Sequence, residues 1–251
     1  MAVVGLGGTP AWADDTATEM VQELATQLQS TLTPTERNAL SDLVAVADPD
    51  DKHINAYAGC TDLGIPVIVV TGELIKVAIS LSMADNTHQL DRYMAYAVAK
   101  IDAGEPPYFP KAWLTHDYDA EKASETFGSI MALVIGHEMG HHLLGHTGCV
   151  GHGRGDTERS VRRQLPVLNQ ELETAADVHA VNNLLDTALV YHLAYTAEAG
   201  TLLFQFFGKL ESSSIGSSMG YFRTHPRSAS RIAVLRAAAA NWQLTHALPR
   251  R

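Results

Sequence analysis

Two histidines four residues apart, His137 and His141, lie inside an apolar stretch of this 251-residue chain. On an α-helix that spacing puts both imidazoles on one face, where they can reach one metal ion. Glu138 sits one step round the helix, where a carboxylate can hold and deprotonate a metal-bound water. The apolar residues 131–135 before the motif would bury this helix. The sequence therefore predicts a buried helix that supplies part of a metal site.

A catalytic zinc site takes three protein ligands and leaves a fourth position for water, so a third ligand is required. One known spacing needs glycine at position 144 and histidine at position 147, but the chain has Leu144 and Thr147 there. The alternative is a carboxylate on a following helix, and Glu173 provides one. Asp177, one helical turn later, shares its face and can orient a ligand imidazole through the second ring nitrogen.

Two small residues, Ala175 and Ala176, flank these acids, and their side chains permit a close approach to the first helix. An ordinary solvated acidic face is the alternative interpretation, and the adjacent alanines argue against it. The sequence thus predicts three ligands for one Zn²⁺ per chain, namely His137, His141 and Glu173.

Apolar spacing along the rest of the chain predicts a single, mostly helical domain. The β-branched run Val67–Thr71, closed by Gly72, is the clearest strand signal. A capping box at Thr33–Glu36, with Pro34 at the first helical position, opens a helix that we expect to continue to about Val46. Helices are predicted up to residue 32 and over residues 34–46, 73–83, 121–147, 167–187 and 191–210.

Charge and hydropathy exclude two classes of function. Acidic residues outnumber basic ones by 28 to 18, a formal net charge of −10, and this balance disfavours binding to nucleic-acid phosphates. No stretch approaches the roughly 20 apolar residues that span a bilayer. We therefore expect a protein that binds no nucleic acid and has no transmembrane segment.

Two features bear on the compartment. Residues 1–13 are small and apolar, end in Ala-Trp-Ala and are followed by two aspartates, which is typical of the cleavage site of an export signal. We therefore predict that residues 1–13 are the remnant of such a signal and that the protein is periplasmic or extracellular, with a cytoplasmic location as the alternative. Cys60 and Cys149 are compatible with one disulfide in an oxidising compartment, and equally with two buried thiols.

Four blocks of sequence, in this order along the chain, resemble the HtpX-like and CAAX-prenyl-protease-like zinc metallopeptidases of the gluzincin type. Together they cover about residues 55–232, and their joint occurrence is far more specific than any one of them. The blocks are Asn55–Ala58 with Val67–Leu74, His137–His141 with His146, Glu173 to Asp177, and Thr224–Pro226 with Arg231.

The resemblance implies an α+β fold, mostly α: a zincin-type metallopeptidase domain over residues 14–251, with a small β-sheet whose edge strand borders the active-site cleft. It implies a zinc-dependent metalloendopeptidase that hydrolyses protein or peptide substrates in extracytoplasmic protein quality control, with Glu138 activating the water. It further implies a catalytic role for His225 near the zinc and a supporting role for Arg231, as a partner of Asp177.

An extended substrate is expected to add to the strand at 67–71 by backbone hydrogen bonds, which gives broad sequence selectivity. Asn55, Val67 and Val69 are the predicted substrate-binding residues. Family members place the zinc helix soon after this strand, whereas here residues 85–120, which include a segment rich in proline and aromatic residues, are inserted between them. The insert is expected to hold one helix and either to wall the cleft or to pack on the back of the domain.

Two other functions are compatible with the sequence. A zinc buffer or sensor built on His142, His146 and His152 would bind more than one metal per chain without turnover. A latent peptidase acting as a chaperone or assembly factor would keep its zinc and be blocked by His225 or by the insert. In the peptidase interpretation, His142, His146 and His152 carry no chemistry.

Overall fold

The computed structural model describes residues 12–149, 166–213 and 227–247. These residues form a mostly helical α+β fold with one small mixed sheet, which is the fold class expected from the sequence. Residues 12 and 13 of the predicted export remnant begin the first helix, and residues 1–11 lie outside the described ranges. None of the described helices combines the length and apolarity that a membrane span requires.

The elements follow one another in chain order, and their bounds are as follows. The first half contains α1 (Trp12–Thr31), α2 (Pro34–Ala39), β1 (Val44–Asp48), β2 (Ala56–Cys60), β3 (Pro66–Thr71) and α3 (Gly72–Asn86). The second half contains α4 (Leu90–Asp102), a 3₁₀ turn (Lys111–Trp113), α5 (Ala120–Leu143), α6 (Pro166–Tyr191), α7 (Ala197–Glu211) and α8 (Ser228–Ala247).

The segment after Thr33 begins as a helix, as its sequence predicts, but the helix is shorter than predicted because the following residues pair as a strand. The capping box is present, since the Glu36 N–H donates to Thr33 Oγ1 and the Glu36 carboxylate accepts from the Thr33 N–H. The helix nevertheless ends at Ala39, so the prediction that it continues to about Val46 is wrong. Residues 44–48 instead pair with β3, because alternating valines fit a pleated, half-buried surface once a partner strand is available.

The three strands are ordered β1-β3-β2, with β3 in the centre. β3 runs parallel to β1 and antiparallel to β2, so both of its edges are hydrogen-bonded. A substrate therefore cannot add to residues 67–71, and the prediction that Val67 and Val69 bind substrate through this strand is wrong. The strongest strand signal in the sequence marks the most buried strand, which is the central one rather than an edge.

Helix α1 closes the outer edge of β1. The Ala45 N–H donates to Gln22 Oε1 at 2.9 Å, and the Ala47 N–H donates to Thr18 Oγ1 at 3.2 Å. These side chains replace the partner strand that an edge would otherwise recruit. Within the described part of the chain, β2 is thus the edge strand that α1 leaves uncovered.

Helix α5 runs through the middle of the domain and carries the histidine motif. It packs against α1, α3, α6, α7 and strand β2. Residues 128–140 are buried without a break, as expected of a helix that lies inside a core. The polar groups of His137 and Glu138 are therefore inside the protein, where they require partners.

The insert contains one α-helix, α4, as expected. Its aromatic residues form a local cluster in which the ring centroid of Phe109 lies 5.9 Å from that of Tyr93 and 5.8 Å from that of Trp113. Helix α4 packs against α3 and α7. No described residue of the insert lines the cavity beside the histidine motif, which favours packing on the domain surface over a wall across the cleft.

A disulfide joins Cys60, at the end of β2, to Cys149, shortly after α5, with their Cα atoms 5.7 Å apart. Of the two arrangements compatible with the sequence, the structure therefore has the crosslink and not the buried thiols. The disulfide ties the edge strand of the sheet to the C-terminal end of the helix that carries the histidines.

Removing this crosslink is expected to lower the free energy of unfolding by about 2–4 kcal/mol, because the unfolded chain regains the entropy of a long loop. The two cysteines are separated by 89 positions. Urea denaturation of Cys60→Ala/Cys149→Ala against the wild type measures the effect. Alanine variants are preferable to thiol reductants, since thiols also bind zinc. An unchanged midpoint and slope would show that the crosslink adds nothing to stability.

Candidate metal centre

Helices α5 and α6 approach closely because small residues face each other along their contact. An added Cβ at Gly140 would lie 3.2 Å from Ala176 Cα, and one at Gly136 would lie 3.3 Å from Ala180 Cα. Ala176 is buried and Ala175 is exposed, so of the two alanines expected to permit this approach only Ala176 does so. The contact sets the acidic face of α6 opposite the histidines of α5.

Replacing Gly140 by valine is expected to lower the free energy of unfolding by about 1–3 kcal/mol, since the branched side chain has no room against the backbone of α6. It should also weaken the binding of a metal ion at the histidines, because it pushes Glu173 away from them. Gly208→Ala is the control: a Cβ there lies 3.6 Å from its nearest neighbour, and alanine should stabilise α7 by up to about 1 kcal/mol. Denaturant unfolding and zinc titration measure the two effects. A Gly140→Val protein as stable as the wild type would contradict the tight contact.

Three side chains meet where α5 and α6 touch. His137 Nε2 lies 3.0 Å from His141 Nε2 and 3.3 Å from Glu173 Oε2, and His141 Nε2 lies 3.3 Å from Glu173 Oε1. Ligand atoms about 2.0–2.1 Å from a tetrahedral metal are about 3.3–3.4 Å from one another. The observed separations are close to these values, with each histidine facing a different oxygen of Glu173. The described part of the chain thus contains a buried cluster that can hold a metal ion.

The outer ring nitrogen of His137 is held by an ion pair behind the cluster. His137 Nδ1 lies 2.9 Å from Asp177 Oδ1, a contact that directs Nε2 toward Glu173. Arg231 donates from Nε to Asp177 Oδ2 at 2.9 Å and from a terminal nitrogen to Asp177 Oδ1 at 2.6 Å. These four side chains are all buried. Asp177 thus contacts the second ring nitrogen of His137, and Arg231 pairs with Asp177; their roles at a bound metal stay predictions.

The same contacts set the protonation of the metal-free site. Burial and the nearby Arg231 lower the pKa of His137, but the hydrogen bonds to Asp177 and Glu173 outweigh them and raise that pKa to about 9. Burial raises the pKa of Asp177, while Arg231 and His137 lower it, with a net shift below its usual value. The metal-free site therefore favours a proton on His137, and a metal cation bound at His137 Nε2 would take the place of that proton.

Arg231 reaches the site from α8, a helix that the sequence analysis does not predict. Its guanidinium carbon lies 4.1 Å from the ring centroid of Phe204 on α7, a stacking contact that orients the side chain. α8 packs against α6 and α7. Apolar residues within 232–242 recur at helical spacing, and this signal could have revealed the helix.

A small cavity of about 40 Å³ lies beside the cluster and is bordered by Glu138, whose residue surface is 8% exposed. Asn55 lies at its rim, where the Asn55 N–H donates to Thr71 Oγ1 at 3.1 Å. Val67 and Val69 are not among the residues that line it. Most of the apolar lining comes from α5 and α7, and the apolar residues are Ala56, Leu74, Leu133, Val134, Leu203, Phe204 and Phe207.

Two further histidines, His142 at the end of α5 and His146 just after it, have different contacts. His142 joins α5 to the sheet, because its Nδ1 lies 2.8 Å from Thr147 Oγ1 and its Nε2 lies 3.1 Å from Val67 O. Burial lowers the pKa of His142, which suits a neutral structural imidazole. The Nδ1 atom of His146 lies 2.8 Å from the Nδ1 atom of His141. His146 thus contacts a candidate ligand, which spacing alone does not indicate.

His152 and His225 lie outside the described residues, so the roles assigned to them stay predictions. No protein-family model, curated protein or solved structure matches this chain. The buried cluster of His137, His141 and Glu173, with Glu138 beside it, is the feature from which a function can be inferred.

Proposed function

We propose that this protein is a zinc-dependent metalloendopeptidase of the gluzincin type. One observation carries the proposal. The Nε2 atoms of His137 and His141 lie 3.0 Å apart and each lies 3.3 Å from an oxygen of Glu173, and these residues form a group that can hold a metal ion. The Glu138 side chain borders the adjoining cavity. Buried acids and imidazoles cost stability unless they are paired or bind a metal, and a hydrolytic metal site accounts for all four residues.

The donor set favours Zn²⁺ over the alkaline-earth ions. Two imidazoles and one carboxylate are typical zinc ligands, whereas Mg²⁺ and Ca²⁺ prefer oxygen ligands throughout. Three protein ligands leave the fourth position open, as in catalytic zinc sites. Bound zinc supplies Lewis acidity, which lowers the pKa of a water to about 7 and polarises a peptide carbonyl.

Glu138 is the proposed general base and, later, general acid. It follows His137 directly on α5, so it lies beside the ligands and not among them. Its carboxylate takes the proton of the attacking water and returns a proton to the leaving amine. Asp177 and Arg231 hold the ring of His137 throughout, which keeps the ligand geometry constant while Glu138 changes protonation.

Strand β2 is the proposed docking edge for an extended substrate. The Thr71 N–H donates to Asn55 O, so in the antiparallel alternation Ala56 and Ala58 turn their N–H and C=O groups away from β3. Ala56, the first residue of β2, and Asn55, which precedes it, line the cavity beside Glu138. Peptide addition through backbone groups gives broad selectivity, which suits unfolded proteins as substrates.

An oxidising compartment is the proposed location, with extracytoplasmic protein quality control as the proposed role. Disulfides persist in exported proteins and are rare in the cytosol, and the Cys60–Cys149 crosslink is one structural element of this domain. Non-reducing mass spectrometry of the protein from its native source tests this location, since two free thiols would contradict it.

Zinc content and proteolysis of the purified chain test the proposed activity together. We expect about one zinc per chain, cleavage of a casein-type unfolded substrate, loss of cleavage on chelation and recovery when zinc is added back. His116→Ala, at an exposed histidine of the insert, is the control and should retain both properties. The proposal would be overturned if neither the zinc-loaded wild type nor the zinc-loaded His225→Ala variant cleaved unfolded protein.

A latent peptidase that acts as a chaperone or assembly factor is the second candidate. The enclosure of the site favours it, because His137, Glu138 and Glu173 are only 6–8% exposed, whereas a substrate must reach these residues to be cleaved. Such a protein keeps its zinc while His225 blocks the site. His225→Ala should then cleave casein faster than the wild type, whereas in an active peptidase the same change should slow cleavage.

A zinc buffer without turnover is the third candidate and has less support. Within the described ranges, one group of three ligand-type side chains is placed to hold an ion, and His142 is used to join α5 to β3. A buffer requires more than one metal per chain, together with loss of bound metal on replacement of His142 and His152.

A further inference from the structure

The two histidine ligands are supported from behind by different partners. His137 presents its Nδ1 to the Asp177 carboxylate at 2.9 Å. His141 presents its Nδ1 to another imidazole, that of His146, at 2.8 Å. The two rings of this second pair meet edge to face, with centroids 5.0 Å apart. Each ligand therefore has its own contact on the ring nitrogen that faces away from the other ligands.

The end of α5 explains why His146 lies there. Gly145 has a φ of 74°, a left-handed conformation that glycine adopts without strain. The Gly145 N–H donates to His142 O at 3.0 Å, and the His146 N–H donates to His141 O at 2.8 Å. This is the hydrogen-bond pattern of a Schellman motif, which ends a helix by folding the chain back over its last turn. The turn thus returns the His146 side chain to the ring of His141.

We propose that His146 is a positioning residue that fixes the tautomer and ring orientation of the metal ligand His141. At 2.8 Å, one of the two Nδ1 atoms must donate a hydrogen bond to the other. When His141 binds a metal through Nε2, its Nδ1 carries the proton, so His146 Nδ1 is the acceptor. The proposal rests on the metal site of the proposed function, but not on peptidase activity.

His146 is distinct from a ligand in this arrangement. The group that can hold one metal ion consists of His137, His141 and Glu173, and His146 approaches His141 from the other ring nitrogen. Partners of this kind on ligand imidazoles typically contribute 10–100-fold to metal affinity. As a neutral acceptor, the His146 imidazole lets His141 keep its Nδ1 proton. As a metal ligand, His146 would instead compete with His141 for the metal.

Zinc affinity of His146 variants tests the proposal. His146→Phe preserves a ring against His141 and removes the acceptor, so its affinity for Zn²⁺, measured by competition with a chromophoric chelator, should fall 10–100-fold. His146→Gln keeps an acceptor oxygen and should recover much of that loss. His116→Phe, an exposed histidine in the insert, is the matched control and should bind as the wild type does.

A second readout separates positioning from a general effect on structure. Long-range ¹H–¹⁵N spectra of the zinc-loaded protein should show His141 as the Nδ1–H tautomer in the wild type, and a shifted Nδ1–H resonance in His146→Phe. If circular dichroism shows that His146→Phe does not fold, His146→Ala replaces it in both measurements. A folded variant without the acceptor that binds Zn²⁺ within twofold of the wild type would overturn the proposal. A protein that binds zinc but cleaves nothing would leave it intact.

Discussion

The Glu138→Gln variant is expected to retain about one zinc per chain and to lose proteolysis, with kcat/KM lowered by a factor of about 10²–10⁴ or more. Glutamine has nearly the shape of glutamate but cannot accept the proton of the attacking water. Glu138 is not one of the three grouped ligand residues, so its replacement should leave zinc binding unchanged. The variant therefore separates metal binding from turnover within one protein.

The matched control for this experiment is Glu171→Gln, at an exposed position of α6 two residues before the ligand Glu173. It removes the same charge from the same region and should leave cleavage and zinc content unchanged. Cleavage is measured on a casein-type substrate and zinc content by atomic absorption. Cleavage at the wild-type rate by Glu138→Gln would exclude Glu138 as the base. Loss of zinc from that variant would show that Glu138 holds the metal site together.

The candidate metal ligands could be predicted from sequence because their placement within each helix depends on helical periodicity alone. His137 and His141 share a face by their four-residue spacing, and so do Glu173 and Asp177. What brings the two pairs together is the contact of Gly140 with Ala176, two small residues that are visible in the sequence. Local information therefore suffices for the ligand set that the structure groups together.

The sheet could not be predicted to the same degree, because strand order depends on residues distant in sequence. Residues 44–48 follow a capped helix and carry no strong local signal, yet their pairing with β3 makes them a strand. Residues 67–71 carry the strongest strand signal because they form the central, most buried strand of the sheet. A central strand is paired on both sides, so it has no free edge to which a substrate could add. The contact of His146 with His141 depends in turn on the left-handed turn at Gly145, which spacing does not encode.

Replacing Arg231 by methionine is expected to lower the free energy of unfolding of the metal-free protein by about 3 kcal/mol. Removing one partner of a buried ion pair leaves the other charge uncompensated, at a cost of about 3–5 kcal/mol. Asp177 keeps its hydrogen bond to His137, and a pKa of about 9 leaves His137 protonated at neutral pH. The remaining partner puts the expected loss at the lower end of this range.

A double-mutant cycle with Asp177→Asn distinguishes the ion pair from apolar packing of α8. Arg231 and Asp177 contact each other directly, so the double variant should be destabilised by at least about 1 kcal/mol less than the sum of the single variants. Urea unfolding in the presence of a chelator measures all four proteins. Arg236→Met, on the same helix, breaks an exposed pair with Glu198 and should leave stability nearly unchanged. If Arg231→Met costs no more than Arg236→Met, α8 is held by its apolar residues, and Arg231 serves only to orient Asp177 and His137.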